Sequence, residues 1–359
     1  MMVTTTAGRT ARHGLAALRQ APAGSRRALR AAATAATAAA AITGLTVTMA
    51  GTALAAPQAA AALTGTLSGH SWASGAYLPA ATPATAAAFG AWRGAPLDVV
   101  TAWGNRATWN DITSPTWLYQ RWQGAPQTIA LGVAMLPEGV PGVSLQACAA
   151  GSYNAYWRQF GATIASYGLG KSVIRLGWEF NGDWYAWQAT DPAAFAGCWR
   201  QAVTAARTTA PALHWDWNVN RGVSAGLPDP ALAYPGDNYV TTIGVDSYDM
   251  WPAATTDANW QKQLNGTQGL NYWLTFAKSH GKQLAIPEWG NMTTGGNPGG
   301  DNPAYVTDML GFFKANAASI AYESTFQGPS TGGNYGTGTT WGGTATPVPN
   351  AAATYKAAF

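Results

Sequence analysis

The sequence predicts a single (β/α)8 barrel, and three observations carry that prediction. Eight short, apolar, β-rich runs alternate with segments of helical character along the chain. Several of the runs are almost continuously hydrophobic, as strands covered on both faces must be. No glycine-rich phosphate turn follows the first run, as a doubly wound nucleotide-binding sheet would show. The 304 residues from 56 to 359 are enough for one such barrel.

The predicted strands are, in order, 64–69 (TGTLSG), 97–103 (LDVVTAW), 128–134 (TIALGVA) and 172–178 (SVIRLGW). The later four are 213–218 (LHWDWN), 241–247 (TTIGVDS), 283–288 (QLAIPE) and 320–326 (IAYESTF). Between them, Tyr153, Tyr156, Trp157, Phe160 and Ile164 recur at helical spacing over 152–167. Asp191 and Pro192 open a helix over 193–209, with proline at the first helical position. Further helices are read over 268–280, 303–317 and 349–358. The segments 222–237, 293–300 and 328–343 are Gly/Pro/Ser/Thr-rich loops, too short to be linkers, and no internal repeat is present.

Residues 1–55 read as a cleaved export signal. Arg9, Arg12, Arg19, Arg26, Arg27 and Arg30 precede an Ala/Thr-rich apolar run from 31 to 50, and Ala53-Leu54-Ala55 has the small-x-small pattern of a cleavage site. As a membrane anchor the run is weak in Leu and Ile and short for a full span. Ser25-Arg26-Arg27-Ala28-Leu29 partly resembles a twin-arginine signal, which leaves both the general secretory and the twin-arginine route open. Removing six arginines and no acids turns a chain of 20 basic and 16 acidic residues into one of 14 and 16, a net charge near −2. With no Lys/Arg cluster left on the mature chain, a nucleic-acid partner is not expected. A secreted monomer acting without a metal or other cofactor, and free of the membrane once the signal is removed, is the expectation.

The mature chain is poor in charge and rich in tryptophan, with 18 Trp, all after residue 70. Part of that is core. Indole rings with a polar N–H are also what a sugar site uses, because pyranose C–H faces stack on flat rings. Cys148 and Cys198 are the only cysteines, and in an exported protein they point to a disulfide, with buried free thiols as the alternative.

The chemistry lies in the acids. The chain has only four glutamates, and Glu179 and Glu288 fall at the C-terminal ends of predicted strands four and seven, where a barrel places its active site. Both have tryptophan and glycine neighbours and few charges nearby. Two carboxyls in such surroundings suit glycosidic cleavage: an apolar neighbour keeps one protonated as a donor, and a hydrogen-bonded partner attacks the anomeric carbon. Of the other acids, Glu138 sits in a Pro/Gly loop and reads as solvated. Glu323, on the last strand, would need a partner if it faces inward. Asp216 reads as rim support, and Asp249 is a further strand-end rival.

Residues 175–187, R-L-G-W-E-F-N-G-D-W-Y-A-W, are similar to the acid/base motif of glycoside hydrolase family 26, the β-mannanase family of the retaining barrel clan, R-P-x-H-E-x-N-G-x-W-x-W. The segment from Tyr234 to Tyr248 resembles that family's strand-six signature, P-E-W-G at 287–290 stands where its nucleophile follows strand seven, and 349–357 agrees with its terminal segment. The resemblance implies Glu179 as acid/base, Glu288 as nucleophile, and Tyr248 as the residue that positions it. It further implies that Arg175 braces the floor, Trp184 stacks on sugar, and Asn181 contacts the acid/base or the sugar. Asp246 would brace the barrel or bind substrate, and Trp289 would neighbour the nucleophile among the substrate contacts. His70, after the first predicted strand and close to Trp72, is a further subsite candidate. His214 and His280 read as structural.

One departure matters. The family motif has His immediately before the acid/base, and this chain has Trp178, a further candidate for substrate contact but bulkier and a weaker hydrogen-bonder, which bears on mannan specificity more than on the reaction. The first expectation is an endo-acting β-1,4-mannanase, then a β-1,3-xylanase or mixed-linkage β-glucanase. The readings of another class are a carbohydrate-binding barrel that has lost catalysis and a cell-wall or surface structural protein, the latter without a sorting tail or repeat in its support.

Overall fold

The computed structural model describes residue 63 and residues 66–328 and 347–359. The expected export signal, the first two residues of the expected strand 64–69 and all but the first residue of the loop 328–343 lie outside the described residues. Eight parallel strands close into a barrel in sequence order. They are β1 (Ala73–Tyr77), β2 (Val99–Trp103), β3 (Thr128–Val133), β4 (Val173–Leu176), β5 (His214–Asn220), β6 (Thr242–Tyr248), β7 (Gln283–Gly290) and β8 (Ile320–Phe326). The helices are α1 (Pro83–Arg93), α2 (Trp109–Thr113), α3 (Thr116–Trp122), α4 (Leu145–Ala149), α5 (Asn154–Ser166) and α6 (Pro192–Arg207), followed by α7 (Asp257–Asn265), α8 (Leu270–Ser279), α9 (Pro303–Ala315) and α10 (Pro349–Ala357).

The expected (β/α)8 barrel is therefore the fold, with one strand misplaced in the sequence reading. TGTLSG at 64–69 is not β1. Residues 66–68 form a turn at the base of the barrel, where Asp98 Oδ1 accepts from the backbone N–H groups of Leu67 (2.7 Å) and Ser68 (3.2 Å). The strand that pairs with β2 and β8 is ASGAY at 73–77, built of small residues because its lower part is buried on both faces. Its Gly75 leaves no room for a side chain, since a Cβ there would come within 2.5 Å of the Val99 carbonyl oxygen.

Inside the barrel, the lower layer is apolar and closed by Ala73, Val99, Ala130, Val173, Ala285 and Tyr322. Between strands and helices, Trp157, Trp199, Trp215, Trp217 and Trp273 are fully buried, so much of the tryptophan content is core. Cys148 of α4 and Cys198 of α6 form a disulfide with Cα atoms 4.7 Å apart. The close approach of these helices needs Gly197, whose Cβ would lie 2.8 Å from that of Ala149.

One irregularity aims the site. From Gly244 to Ser247, β6 advances three residues while its partner β7 advances four, from Ala285 to Trp289. On the other side, after an earlier shift in which β8 advances two residues from Ile320 to Tyr322 against one in β7, β7 advances three residues from Ile286 to Trp289 while β8 advances two, from Glu323 to Thr325. Both ladders therefore place one extra residue in β7, a bulge at 286–289. A bulge reverses the in/out alternation beyond it. Ala285 points inward, so strict alternation would send Glu288 outward and Trp289 inward; the extra residue exchanges them.

Candidate active site

At the C-terminal mouth, Arg175 of β4 is fully buried and organises the floor. Its Nη2 donates to Asn218 Oδ1 (2.6 Å), Asp246 Oδ2 (2.7 Å) and Glu288 Oε1 (2.6 Å), and its Nε donates to Asn218 Oδ1 (3.1 Å). The guanidinium lies over the Trp103 ring, 5.4 Å from its centroid. Trp103 fits inside the barrel because residue 132 is glycine: a Cβ there would sit 2.3 Å from the indole. The other oxygen of Glu288, Oε2, accepts from the Tyr248 hydroxyl at 2.6 Å. Both oxygens of this carboxylate are thus held by charged or polar donors from β4 and β6.

Glu179 is presented differently. Gly177 and Glu179 both adopt left-handed backbone, with φ of 55° and 52°, so the chain turns sharply out of β4. The turn is held by Glu179 N–H donating to the Asn218 carbonyl (2.9 Å) and Gly182 N–H donating to the Glu179 carbonyl (2.9 Å). A non-glycine residue with positive φ is uncommon and costs strain, which accumulates at functional sites. Although its side chain reaches solvent at the mouth, desolvation by the surrounding protein is the main force pushing the Glu179 carboxyl up to about 8, with the Glu288 charge adding to it. Arg175 and the Trp184 indole pull the other way. The same mouth pushes other groups: Asp246 is raised well above the usual carboxylate range by burial, with Arg175 opposing and Glu288 adding. Asp216 is raised to about 6, also by burial, against the hydrogen bond it accepts from Tyr322. Burial and the Glu288 charge push the Tyr248 phenol up.

The structure brings Glu179, Glu288, Arg175, Asp246, Tyr248 and Trp184 to one mouth, with Trp178 in its wall. Trp184 is 49% exposed and its ring lies over Gly182, where a Cβ would come within 2.4 Å. Trp178 is buried, and its indole N–H donates to the Tyr185 hydroxyl at 3.0 Å, so it has no donor left for a sugar. Three expectations are corrected. Asn181 is fully buried and ties the β4 turn to β5, accepting from Asn220 N–H (2.8 Å) and donating to the Asn220 carbonyl (2.9 Å), so it is a strut under the turn that carries Glu179. His70 lies below β1 at the opposite end of the barrel, stacked on Trp72 with ring centroids 5.1 Å apart and edge-on to Phe359, away from any subsite. Trp289 is turned outward by the β7 bulge, packs on Tyr305, Phe313 and Tyr355, and donates its N–H to Glu323 Oε2 at 2.6 Å. Glu323 accordingly faces the helix layer, not the mouth.

Four mouth residues escaped the sequence reading. Tyr77, Trp103 and Phe326 end β1, β2 and β8 and form one aromatic cluster, Tyr77 lying 4.9 Å from Trp103 and 4.4 Å from Phe326 between ring centroids. An aromatic residue at the last position of a barrel strand was the available signal, and for Tyr77 it was hidden by the misplaced first strand. Tyr185 is the fourth: its hydroxyl accepts from the Trp178 indole (3.0 Å) and its ring lies 6.2 Å from that of Trp184, and burial first, then the Glu179 and Glu288 charges, push its phenol up. Among the described residues no group of three or more His, Cys, Asp or Glu is arranged to hold a metal ion, and no helix is long and apolar enough to cross a membrane.

No sequence-family model and no curated protein matches this chain. Solved structures do. The catalytic domain of a family 26 endo-β-1,4-mannanase from Bacillus sp. JAMB-750 superposes with a TM-score of 0.56 at 17% identity, over 82% of this chain and 86% of that one. The GH26C protein from a Muricauda species gives 0.56 at 15% identity, over 79% and 83%. A Cellulomonas fimi endo-β-1,4-mannanase gives 0.54 at 19% identity over 74% of this chain, and the match spans 66% of the length of the C. fimi protein. The barrel described above, with its glutamates at the ends of β4 and β7, has the fold of the glycoside hydrolase family 26 structures.

Proposed function

We propose that this protein is a secreted retaining glycoside hydrolase that cleaves β-linked polysaccharide by double displacement. The observation that carries the reading is the unequal environment of two neighbouring glutamates. Glu288 has Arg175 and Tyr248 on its two oxygens, each at 2.6 Å, while desolvation pushes Glu179 up to about 8. Environments that divide two carboxyls in this way assign the acid and the nucleophile.

In the first step Glu179 gives its proton to the glycosidic oxygen as the bond from that oxygen to the anomeric carbon breaks. A Glu288 oxygen forms a bond to the same carbon, and the leaving chain departs as an alcohol. In the second step Glu179, now a carboxylate, takes a proton from water. The hydroxide oxygen bonds to the anomeric carbon and the ester to Glu288 breaks, restoring both residues with retained configuration. Two displacements require the carboxyl groups to stand about 5–5.5 Å apart. β-1,4-Mannan is the first substrate, supported by the endo-β-1,4-mannanases among the structures that share the fold. β-1,3-Xylan and mixed-linkage β-glucan are the next, because Trp178 stands where the family motif has His.

The test uses Glu288→Ala and Glu179→Ala with polysaccharide and with an aryl glycoside whose leaving group needs no proton. Glu288→Ala abolishes turnover of both. Glu179→Ala accumulates a glycosyl-enzyme from the aryl glycoside, and azide restores turnover with a β-glycosyl azide as product. Azide on Glu288→Ala gives the opposite anomer. Wild-type hydrolysis by both variants would return the strand-end aspartates to contention, and a wild-type protein that binds glycans without releasing reducing sugar would make this a binding barrel.

A further inference from the structure

Glu323 is a carboxyl that the two displacement steps do not use, and its place in the fold is costly. It is fully buried on β8, between Ser74 of β1 and Ile286 of β7 in the pairing of the strands. The Ser74 hydroxyl donates to its Oε1, and the buried Arg93 of α1 reaches it through Ser74, with Nη1 donating to Ser74 Oγ at 3.0 Å. Burial pushes the carboxyl up, and the Ser74 hydroxyl, the Arg93 charge and the Trp289 N–H oppose it. An apolar side chain in this layer would carry no such cost. Where a fold keeps a buried charged network, the best-attested gain is the choice of one register over another.

The register at stake is that of β7. Trp289 follows Glu288, and neighbouring side chains on a strand leave on opposite faces. With Trp289 in the helix layer, Glu288 enters the mouth; with Trp289 turned inward, Glu288 would point to the helices. Tyr305 and Phe313 of α9 and Tyr355 of α10 surround the indole, with ring centroids at 6.3, 5.6 and 6.0 Å. Apolar contact of this kind is not directional. The N–H is: it donates to Glu323 Oε2 at 2.6 Å, which fixes the depth and rotation of the ring. A Trp289 that swung inward would leave Oε2 without that donor inside the buried layer.

We propose that Glu323 is a positioning residue for Glu288. It latches Trp289 to the helix layer and so holds the bulged register of β7 that aims the neighbouring carboxylate at Arg175 and Tyr248. This rests on Glu288 as the nucleophile and goes beyond it in assigning a role to an acid outside the mouth.

Four variants separate positioning from general support of the fold, assayed on β-glycans with thermal midpoints as the check on folding. Glu323→Leu removes the acceptor and Trp289→Phe removes the donor. Either should lower kcat by about tenfold or more with KM little changed. In crystals of either, Glu288 should no longer lie within hydrogen-bond reach of both Arg175 and Tyr248; should one variant fail to fold, the other carries the comparison. Glu323→Gln keeps an oxygen for the Trp289 N–H, its amide can donate to Ser74 Oγ, and it should retain most of the wild-type kcat. Ser74→Ala takes the donor from Oε1 but leaves the latch, so it should lower the thermal midpoint at wild-type kcat. Wild-type kcat in Glu323→Leu or Trp289→Phe, equal loss in Glu323→Gln or Ser74→Ala, or an unmoved Glu288 in the crystals overturns the proposal. A wild-type protein that releases no reducing sugar from any β-glycan sinks the glycosidase reading, and the position of Glu288 in the variant crystals then decides whether Glu323 holds it.

Discussion

Glu179 shows how a single residue's surroundings set its work. Glycosylation needs its proton, and desolvation together with the Glu288 charge keeps that proton on up to about pH 8. The kcat/KM profile should therefore fall on its basic side as pH rises through about 8, and Glu179→Gln should lose that limb along with activity toward polysaccharide. The sign for stability is the reverse of a salt-bridged carboxylate. The folded pKa lies above the ordinary 4.5, so the folded state holds a proton the unfolded chain has released. Stability from this group is fully present below about 4.5 and is lost as pH rises toward about 8. Thermal midpoints measured across that range should decline less steeply for Glu179→Gln than for the wild type. Equal slopes would show that Glu179 is not the shifted group.

At the scale of elements, the site depends on two local departures from regular strand geometry. The extra residue in β7 turns Glu288 into the mouth, and the left-handed turn after β4 brings Glu179 toward it. A third device is the absence of a side chain on β3. Gly132 admits the Trp103 indole, over which Arg175 lies. Gly132→Ala would push the ring toward Arg175 and disturb the hydrogen bonds that hold Glu288. Overpacking of this kind costs about 1–3 kcal/mol, and displacement of the floor should lower kcat/KM by about tenfold or more. Thermal denaturation and kinetics on the same preparation check both parts; a variant with wild-type activity would show that Trp103 does not support Arg175.

At the scale of the whole molecule, the barrel divides into an apolar lower layer and a charged upper one. Stability comes from below and from the tryptophan-filled helix layer, which leaves the mouth free to hold Arg175 among carboxylates whose burial is costly. Export is a reading of the sequence that a direct measurement can test. If residues 1–55 are removed, the secreted protein begins at Ala56, and N-terminal sequencing of culture supernatant should find that end. Intact mass should show no alkylation until a reductant opens the Cys148–Cys198 bridge. Replacing both cysteines with serine should cost about 2–4 kcal/mol, because a loop closed in the unfolded chain is then released. A protein that stays cell-associated with residues 1–55 attached would overturn the export reading.

The barrel was legible in the sequence, because apolar runs and helical spacing are local patterns that burial on both faces imposes residue by residue. Glu179 and Glu288 could be put at strand ends from the strands themselves, whereas their company of Arg175, Tyr248 and Asp246 was implied by the family resemblance. The first strand was not legible, because ASGAY is small enough to look like loop and TGTLSG is β-rich enough to look like strand. The direction of a side chain was not legible, because it depends on strand pairing. One added residue in β7, visible only in its pairing with β6 and β8, sends Trp289 to the helices and Glu288 to the mouth. Likewise Asn181 became a strut when β5 came alongside, Trp178 found its partner in Tyr185, and His70 fell below β1 once that strand began at Ala73. Each of these turns on a neighbour distant in sequence, and side-chain direction in a strand reverses with every residue of register.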